Sequence, residues 1–180
     1  GTRYDLLGPL GNGWRTPEVE ADVMLVAGGV GVAPLIFLAD RLRSARPRPY
    51  VRALFGGATQ DALVCWTEFA ARCEEFTAVT EDGSAGEQGL VTDVLGPEIE
   101  RSRPDMVYAC GPDAMLAVVA RICARAEVAC QVSMEQWMGC GVGACLGCAI
   151  PATAGGYVRV CAEGPVFRAE EIDWERMVGP

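Results

Sequence analysis

Residues 23–39 read VMLVAGGVGVAPLIFLA. The first five form an apolar run of strand length that stops at Gly28, Gly29 and Gly31, where glycine permits a tight turn with outward-facing amides. Pro34 suits the first turn of a helix, and Leu35, Leu38 and Leu42 recur at spacings of three and four. The stretch is therefore expected to be strand, glycine loop and helix. Its glycines and proline leave it short of a membrane-spanning helix despite its hydropathy. A helix that starts after a glycine loop offers unpaired N–H groups and the positive end of its dipole, which suits a pyrophosphate. The pattern here is GxGxxP and not the GxGxxG of the dinucleotide fingerprint, so a turn that merely packs helix on strand is an alternative reading.

Working outward, the alternation repeats. Strands are expected at 50–55, 76–80, 106–109 and 128–132, and helices at 64–72 and 112–126, the latter with Met115, Leu116, Val118, Val119 and Ile122 on one face. Strands separated by helices predict an α/β fold with a doubly wound parallel sheet of five strands, because parallel neighbours need a crossover between them. Ligands in such sheets sit beyond the carboxyl ends of the strands. The glycine-bearing segments 28–31, 56–57, 83–86 and 111 all leave those ends, which makes Gly28, Gly56, Gly83 and Gly111 candidates alongside the first loop. Residues 56–60 contain no arginine or lysine to pair with a 2′-phosphate, which favours NAD over NADP. Residues 1–20, with LGPLGNGW, read as an irregular lead-in.

Near the C-terminus, GCGVGACLGCAIPATAGGYVRVC (139–161) sets Cys140, Cys145 and Cys148 at CxxxxCxxC, with Cys161 after twelve more residues. This is the spacing of plant-type ferredoxins that hold a 2Fe-2S cluster on four thiolates. Gly139, Gly141, Gly143 and Gly147 let backbone amides approach the cluster sulfurs. A structural zinc or disulfides are the alternatives, but zinc favours paired CxxC knuckles and only Cys145 with Cys148 forms one.

The composition narrows the function further. The formal net charge of −9 gives a phosphate backbone little to hold, so no nucleic-acid partner is expected. The absence of histidine excludes a Rieske centre, a histidine-ligated metal and an imidazole base. Nine cysteines leave five outside the loop, an odd remainder that suits a reducing cytoplasm, and no membrane partner is expected.

Three features, GGVGVAP after the first strand, ACGPDAM after the fourth, and MEQWMGCGVGACLGC with Cys161, together resemble the electron-transfer subunits of type B dihydroorotate dehydrogenase, within the ferredoxin-reductase superfamily. TEDGSAGEQGLVTDVL (80–95) and LGPLGNGW also look like that family. The resemblance implies a flavoprotein that takes hydride from NADH onto FAD and passes electrons singly through the cluster to an FMN-containing dihydroorotate dehydrogenase catalytic subunit of pyrimidine synthesis, as a heterotetramer. By the same resemblance, Gly29, Gly31, Ala33 and Pro34 line the NAD pyrophosphate, Gly83 and Ser84 sit by the cofactor, Cys110, Gly111 and Pro112 approach the nicotinamide, and Cys140, Cys145, Cys148 and Cys161 bind iron. It implies no general base, since hydride transfer needs none. Members of the family carry an N-terminal flavin-binding β-barrel, and this chain is expected to begin about where such a barrel ends. The domains expected are a lead-in at 1–20, an NAD-binding domain at 21–135 and a cluster-binding subdomain at 136–180. The diaphorase-like subunit of a hydrogenase or sulfide dehydrogenase is the related alternative, and a zinc-stabilised interaction module the unrelated one.

Overall fold

Successive side chains of a strand point to opposite faces, and in β1 (Asp22–Gly28) both sets are buried. Val23, Leu25 and Ala27 pack with Leu35, Leu38 and Leu42 of α1 (Val32–Ser44) and with Phe69 of α2 (Trp66–Ala70). Met24 and Val26 pack on the other side with Val91, Leu95 and Ile99 of α3 (Val91–Ser102) and with Leu116, Val119 and Cys123 of α4 (Asp113–Arg125). A strand covered on both faces is the mark of a parallel sheet wound in both directions.

The computed structural model describes residues 1–179. The expected strands are all present, as β1, β2 (Tyr50–Gly57), β3 (Glu75–Thr80), β5 (Met106–Cys110) and β6 (Ala129–Ser133), every neighbouring pair among them parallel. Two short strands extend that set to a seven-stranded sheet in the order β4-β3-β2-β1-β5-β6-β9. They are β4 (Glu87–Gln88), parallel to β3, and β9 (Val166–Arg168), antiparallel to β6. A separate hairpin pairs β7 (Ala149–Pro151) with β8 (Tyr157–Arg159), and α5 (Trp174–Val178) follows.

The hairpin side of the molecule shares its interior with the sheet. Cys148, Ile150, Val160 and Cys161 belong to the same buried cluster as Val132, Met134 and Phe167. The lead-in is tied down as well. Asn12 donates from its side chain to the carbonyls of Ala162 (3.2 Å) and Glu163 (2.9 Å), the buried Gln131 amide clasps the backbone of Arg15, and Trp14 meets Tyr108 edge-on at 5.5 Å. Among the described residues no helix is long and apolar enough to cross a membrane.

Candidate functional site

The strand order reverses direction from β1, and at the carboxyl ends of β1 and β2 a cleft of about 430 Å³ opens. Larger hollows exist, one of about 920 Å³ between α4 and the C-terminal segment, but this cleft lies where such sheets bind ligands. Gly28 and Gly29 form one wall, Gly56 and Gly57 another, and Leu90, Val91 and Thr92 at the start of α3 face Pro112, Ala114 and Met115 at the start of α4. No side chain caps α4, which leaves its first N–H groups for an anion, whereas the Val32 N–H that opens α1 is bonded to the Gly29 carbonyl and the Asp93 carboxylate accepts the Leu90 N–H (2.9 Å) and closes α3.

The glycines shape this cleft in different ways. A Cβ on Gly56 would come within 2.7 Å of the Val91 Cβ, and one on Gly28 within 3.0 Å of the Pro112 ring, so both let neighbouring elements close in. Gly29 has φ +52 and open space where a Cβ would stand. Gly31 is buried against the end of β5, where a Cβ would overlap the Cys110 carbonyl oxygen and come within 2.7 Å of the Gly111 nitrogen. Of the expected nucleotide contacts, Gly28, Gly29, Gly56 and Pro112 therefore line the cleft. Gly31, Cys110 and Gly111 form the packed layer beneath, and Ala33 and Pro34 lie in the first turn of α1, outside the cleft lining. Gly83 and Ser84 sit in the turn after β3, where the Ser84 hydroxyl accepts the Gln60 N–H (2.7 Å) and donates to Asp82 (2.6 Å), which fastens this turn to the one after β2. Burial pushes the Cys110 thiol up to about 11, so it stays protonated at neutral pH. Sequence reasoning missed Glu81, Val91 and Thr92 and placed Met115 in the core; the only signal for Val91 and Thr92 was the family-like stretch 80–95.

The cysteine loop lies at the far side of β6. Cys140 and Cys145 face outward, while Cys148 and Cys161 are buried. The backbone turns its N–H groups onto the sulfurs: Val142 (3.4 Å), Ala144 (3.2 Å) and Cys145 (3.4 Å) donate to Cys140 Sγ, Gly143 (3.2 Å) to Cys161 Sγ, Gly147 (3.4 Å) to Cys145 Sγ and Cys161 (3.4 Å) to Cys148 Sγ. Gly141 and Gly143, at φ +71 and +80, supply the left-handed backbone this needs. The N–H groups of Cys145, Val142 and Ala144 draw the Cys140 thiol down to about 6, so it is a thiolate at neutral pH, the form that binds metal. The Cys161 N–H lowers Cys148, while Cys161 is raised by donating to Cys148. Among the described residues no three histidine, cysteine or acidic side chains converge as they would around one ion. The cysteines instead meet two by two, with the Cys145 N–H on Cys140 Sγ and the Cys161 N–H on Cys148 Sγ, and such a set of paired sulfur donors ringed by amides fits a two-iron cluster.

Comparison with known proteins agrees with both halves. Residues 135–173 match the iron-sulfur cluster binding domain of dihydroorotate dehydrogenase B, and residues 25–121 match the oxidoreductase NAD-binding domain. The electron transfer subunit of dihydroorotate dehydrogenase B (NAD(+)) from Desulforamulus reducens is 36% identical over 97% of this chain and 67% of the relative. That from Geobacillus thermodenitrificans is 44% identical over 96% and 66%. The chain belongs to the family of dihydroorotate dehydrogenase B electron transfer subunits. It spans about two thirds of the length of these family members, and 60% of the probable one from Methanopyrus kandleri, to which it is 42% identical. A solved NADH-dependent reduced ferredoxin-NADP oxidoreductase superposes with TM-score 0.83 at 32% identity, over 97% of this chain and 61% of that one. The C-terminal domain of a Pyrococcus furiosus hydrogenase, 14% identical with TM-score 0.54 over 71% of this chain and all of that one, shares the fold alone. Both family matches cover the site: the NAD-binding match runs through the cleft glycines, and the iron-sulfur match contains all four loop cysteines. With that ancestry the chain is an NADH-linked redox subunit.

Proposed function

We propose that this chain is the nucleotide- and cluster-bearing part of an electron-transfer subunit that carries electrons between NADH and a partner dihydroorotate dehydrogenase. The observation that carries the reading is the pairing, on one core, of a cleft at the ends of β1 and β2 with a loop whose amides point at four cysteine sulfurs. Nicotinamide, FAD and a 2Fe-2S cluster, when bound, supply the conversion of a two-electron donor into single electrons, which no side chain provides.

The residues of the chain bind, orient and insulate. The glycine turn at Gly28 and Gly29 and the uncapped start of α4 would hold the pyrophosphate, with Pro112 and Met115 shielding one side. Glu81 offers an acceptor for ribose hydroxyls, and the lining carries no arginine or lysine, which supports NAD over NADP. Cys140, Cys145, Cys148 and Cys161 would be the iron ligands. The outward pair faces a surface where Trp137, Met138, Val142 and Leu146 are exposed, an apolar rim suited to a partner subunit. Ile150, behind this rim, is buried in the core. Residues 21–135 would serve the nucleotide and 136–180 the cluster, with activity requiring the flavin-binding module and the partner, in the cytoplasm.

Replacing Cys145 with serine tests the ligand assignment. Anaerobically prepared Cys145→Ser is expected to lose acid-labile sulfide and most of its iron while binding NADH within about twofold of the parent, since the cleft is built from other elements. Iron and sulfide at parental levels would overturn the assignment.

A further inference from the structure

Arg159 is the last residue of β8 and pairs across the hairpin with Ala149, one residue beyond Cys148. Its side chain crosses to the cysteine loop and donates from Nη1 to the Gly143 carbonyl at 2.6 Å. The same Gly143 donates its own N–H to Cys161 Sγ at 3.2 Å. The other edge of the guanidinium is held by Glu163, through Nε at 3.0 Å and a second contact from Nη2, while the Glu163 carboxylate also accepts the Arg159 backbone N–H at 2.7 Å. Gly143 fits this place because a Cβ would come within 3.2 Å of Nη1 at a φ of +80. The guanidinium is thus linked to Cys161 Sγ through the single residue Gly143.

We propose that Arg159 and Glu163 form a charge couple that sets the reduction potential of the cysteine-bound cluster, with Arg159 favouring the reduced form and Glu163 offsetting it. The inference rests on the cluster reading above and adds to it a positioning pair that the cysteine spacing does not contain. Reduction adds one electron, and so one negative charge, to a site already surrounded by thiolates; no bond forms or breaks and no proton is required. A fixed cation on the Gly143 carbonyl, one residue from Cys161 Sγ, stabilises that added charge, and the Gly143 N–H held on Cys161 Sγ does the same. Because Glu163 grips the cation, only part of its field is felt. Removing either partner therefore moves the equilibrium in opposite directions, whereas a pair that only held the loop together would move it one way.

The test is a dithionite titration of the anaerobically purified chain, followed by its paramagnetic signal, with iron and sulfide counted per chain. Arg159→Met is expected to shift the reduction equilibrium about threefold to tenfold against the reduced form, which is about 30 to 60 mV lower at roughly 59 mV per tenfold for one electron. Glu163→Gln is expected to shift it in the reduced direction, and Arg159→Lys to stay nearer the parent than Arg159→Met does. Unmoved potentials, or shifts of the same sign in Arg159→Met and Glu163→Gln, would overturn the proposal. If Arg159→Met fails to hold iron, Glu163→Gln and Arg159→Lys decide: a raised potential in the first and a near-parental one in the second support it, and any other result defeats it. A parent without iron or sulfide would bring down the cluster reading and this inference together, whereas a parent with both and insensitive variants would bring down the inference alone.

Discussion

Gly29 and Gly31 stand two residues apart in one turn, yet they answer to different constraints. Gly29 takes a left-handed φ with open space around it at the cleft wall, while Gly31 has an ordinary φ of −61 and no room, being pressed on the Cys110 carbonyl. Alanine at Gly29 should cost about 1–2 kcal/mol for its backbone conformation and should reshape the cleft wall directly. Alanine at Gly31 should cost about 1–3 kcal/mol through overpacking between the first loop and the end of β5. The expected outcome, read by urea denaturation alongside NADH calorimetry, is that Gly31→Ala lowers stability at least as much as Gly29→Ala, whereas Gly29→Ala weakens NADH binding more per unit of stability lost. Equal effects on both readouts would show that both glycines serve the ligand in the same way.

At the scale of elements, what was legible in the sequence was what local periodicity encodes. The apolar run of β1, the three-and-four spacing of α1 and the apolar face of α4 each announce their partner layer within a dozen residues. The helix α3 does not, because Gly96 and Pro97 interrupt it, and an interior proline removes a backbone donor at a usual cost of about 3 kcal/mol. It forms because Val91, Leu95 and Ile99 fall on one stripe and are buried against the sheet and α4, a tertiary gain that no local rule reports. The three-residue strand β9 escaped for the same reason, since it exists only through a partner more than thirty residues away. In the candidate site, the cysteines could be read from spacing alone, but Thr92, Met115 and Glu81 meet only where separate crossovers come together, and Arg159 meets Gly143 only through the hairpin. Since α3 both covers the sheet and presents its first residues to the cleft, Leu95→Ala should lose about 2–5 kcal/mol and also weaken NADH binding. Chemical denaturation with and without saturating NADH measures both, and a variant that lost stability with unaltered nucleotide affinity would separate α3 from the site.

Across the whole molecule the two ends of the sheet do different work. The carboxyl ends are left open by glycines, and the amino ends are fastened by charge. Arg52 of β2 pairs with Asp22 of β1 at 3.0 Å and with Glu75 of β3, and Glu75 is held in turn by Arg101 of α3 at 2.6 Å. Arg52 also lies over the Tyr50 ring at 4.6 Å. This ties three strands and a helix together at the edge opposite the cleft. Hydrogen bonds from Arg52 and then Arg101 hold the Glu75 carboxyl down at about 2, well below the usual carboxylate range. A carboxyl with a lowered folded-state value binds its proton more readily when unfolded, so the ionised network stabilises the fold above about pH 4.5, and that contribution drains away as pH falls toward 2. Because Glu75 is 40% exposed, water and salt screen it, and its share at neutral pH is expected to be about 0.2–1 kcal/mol. Glu75→Gln should therefore be less stable than the parent by that amount at pH 7 in low salt, with the gap narrowing in 1 M salt and closing as pH approaches 2. Denaturant titrations of the two proteins at pH 7, 4 and 3 test this, and a gap that stayed constant from pH 7 to 3 would mean that Glu75 acts by its shape and not by its charge.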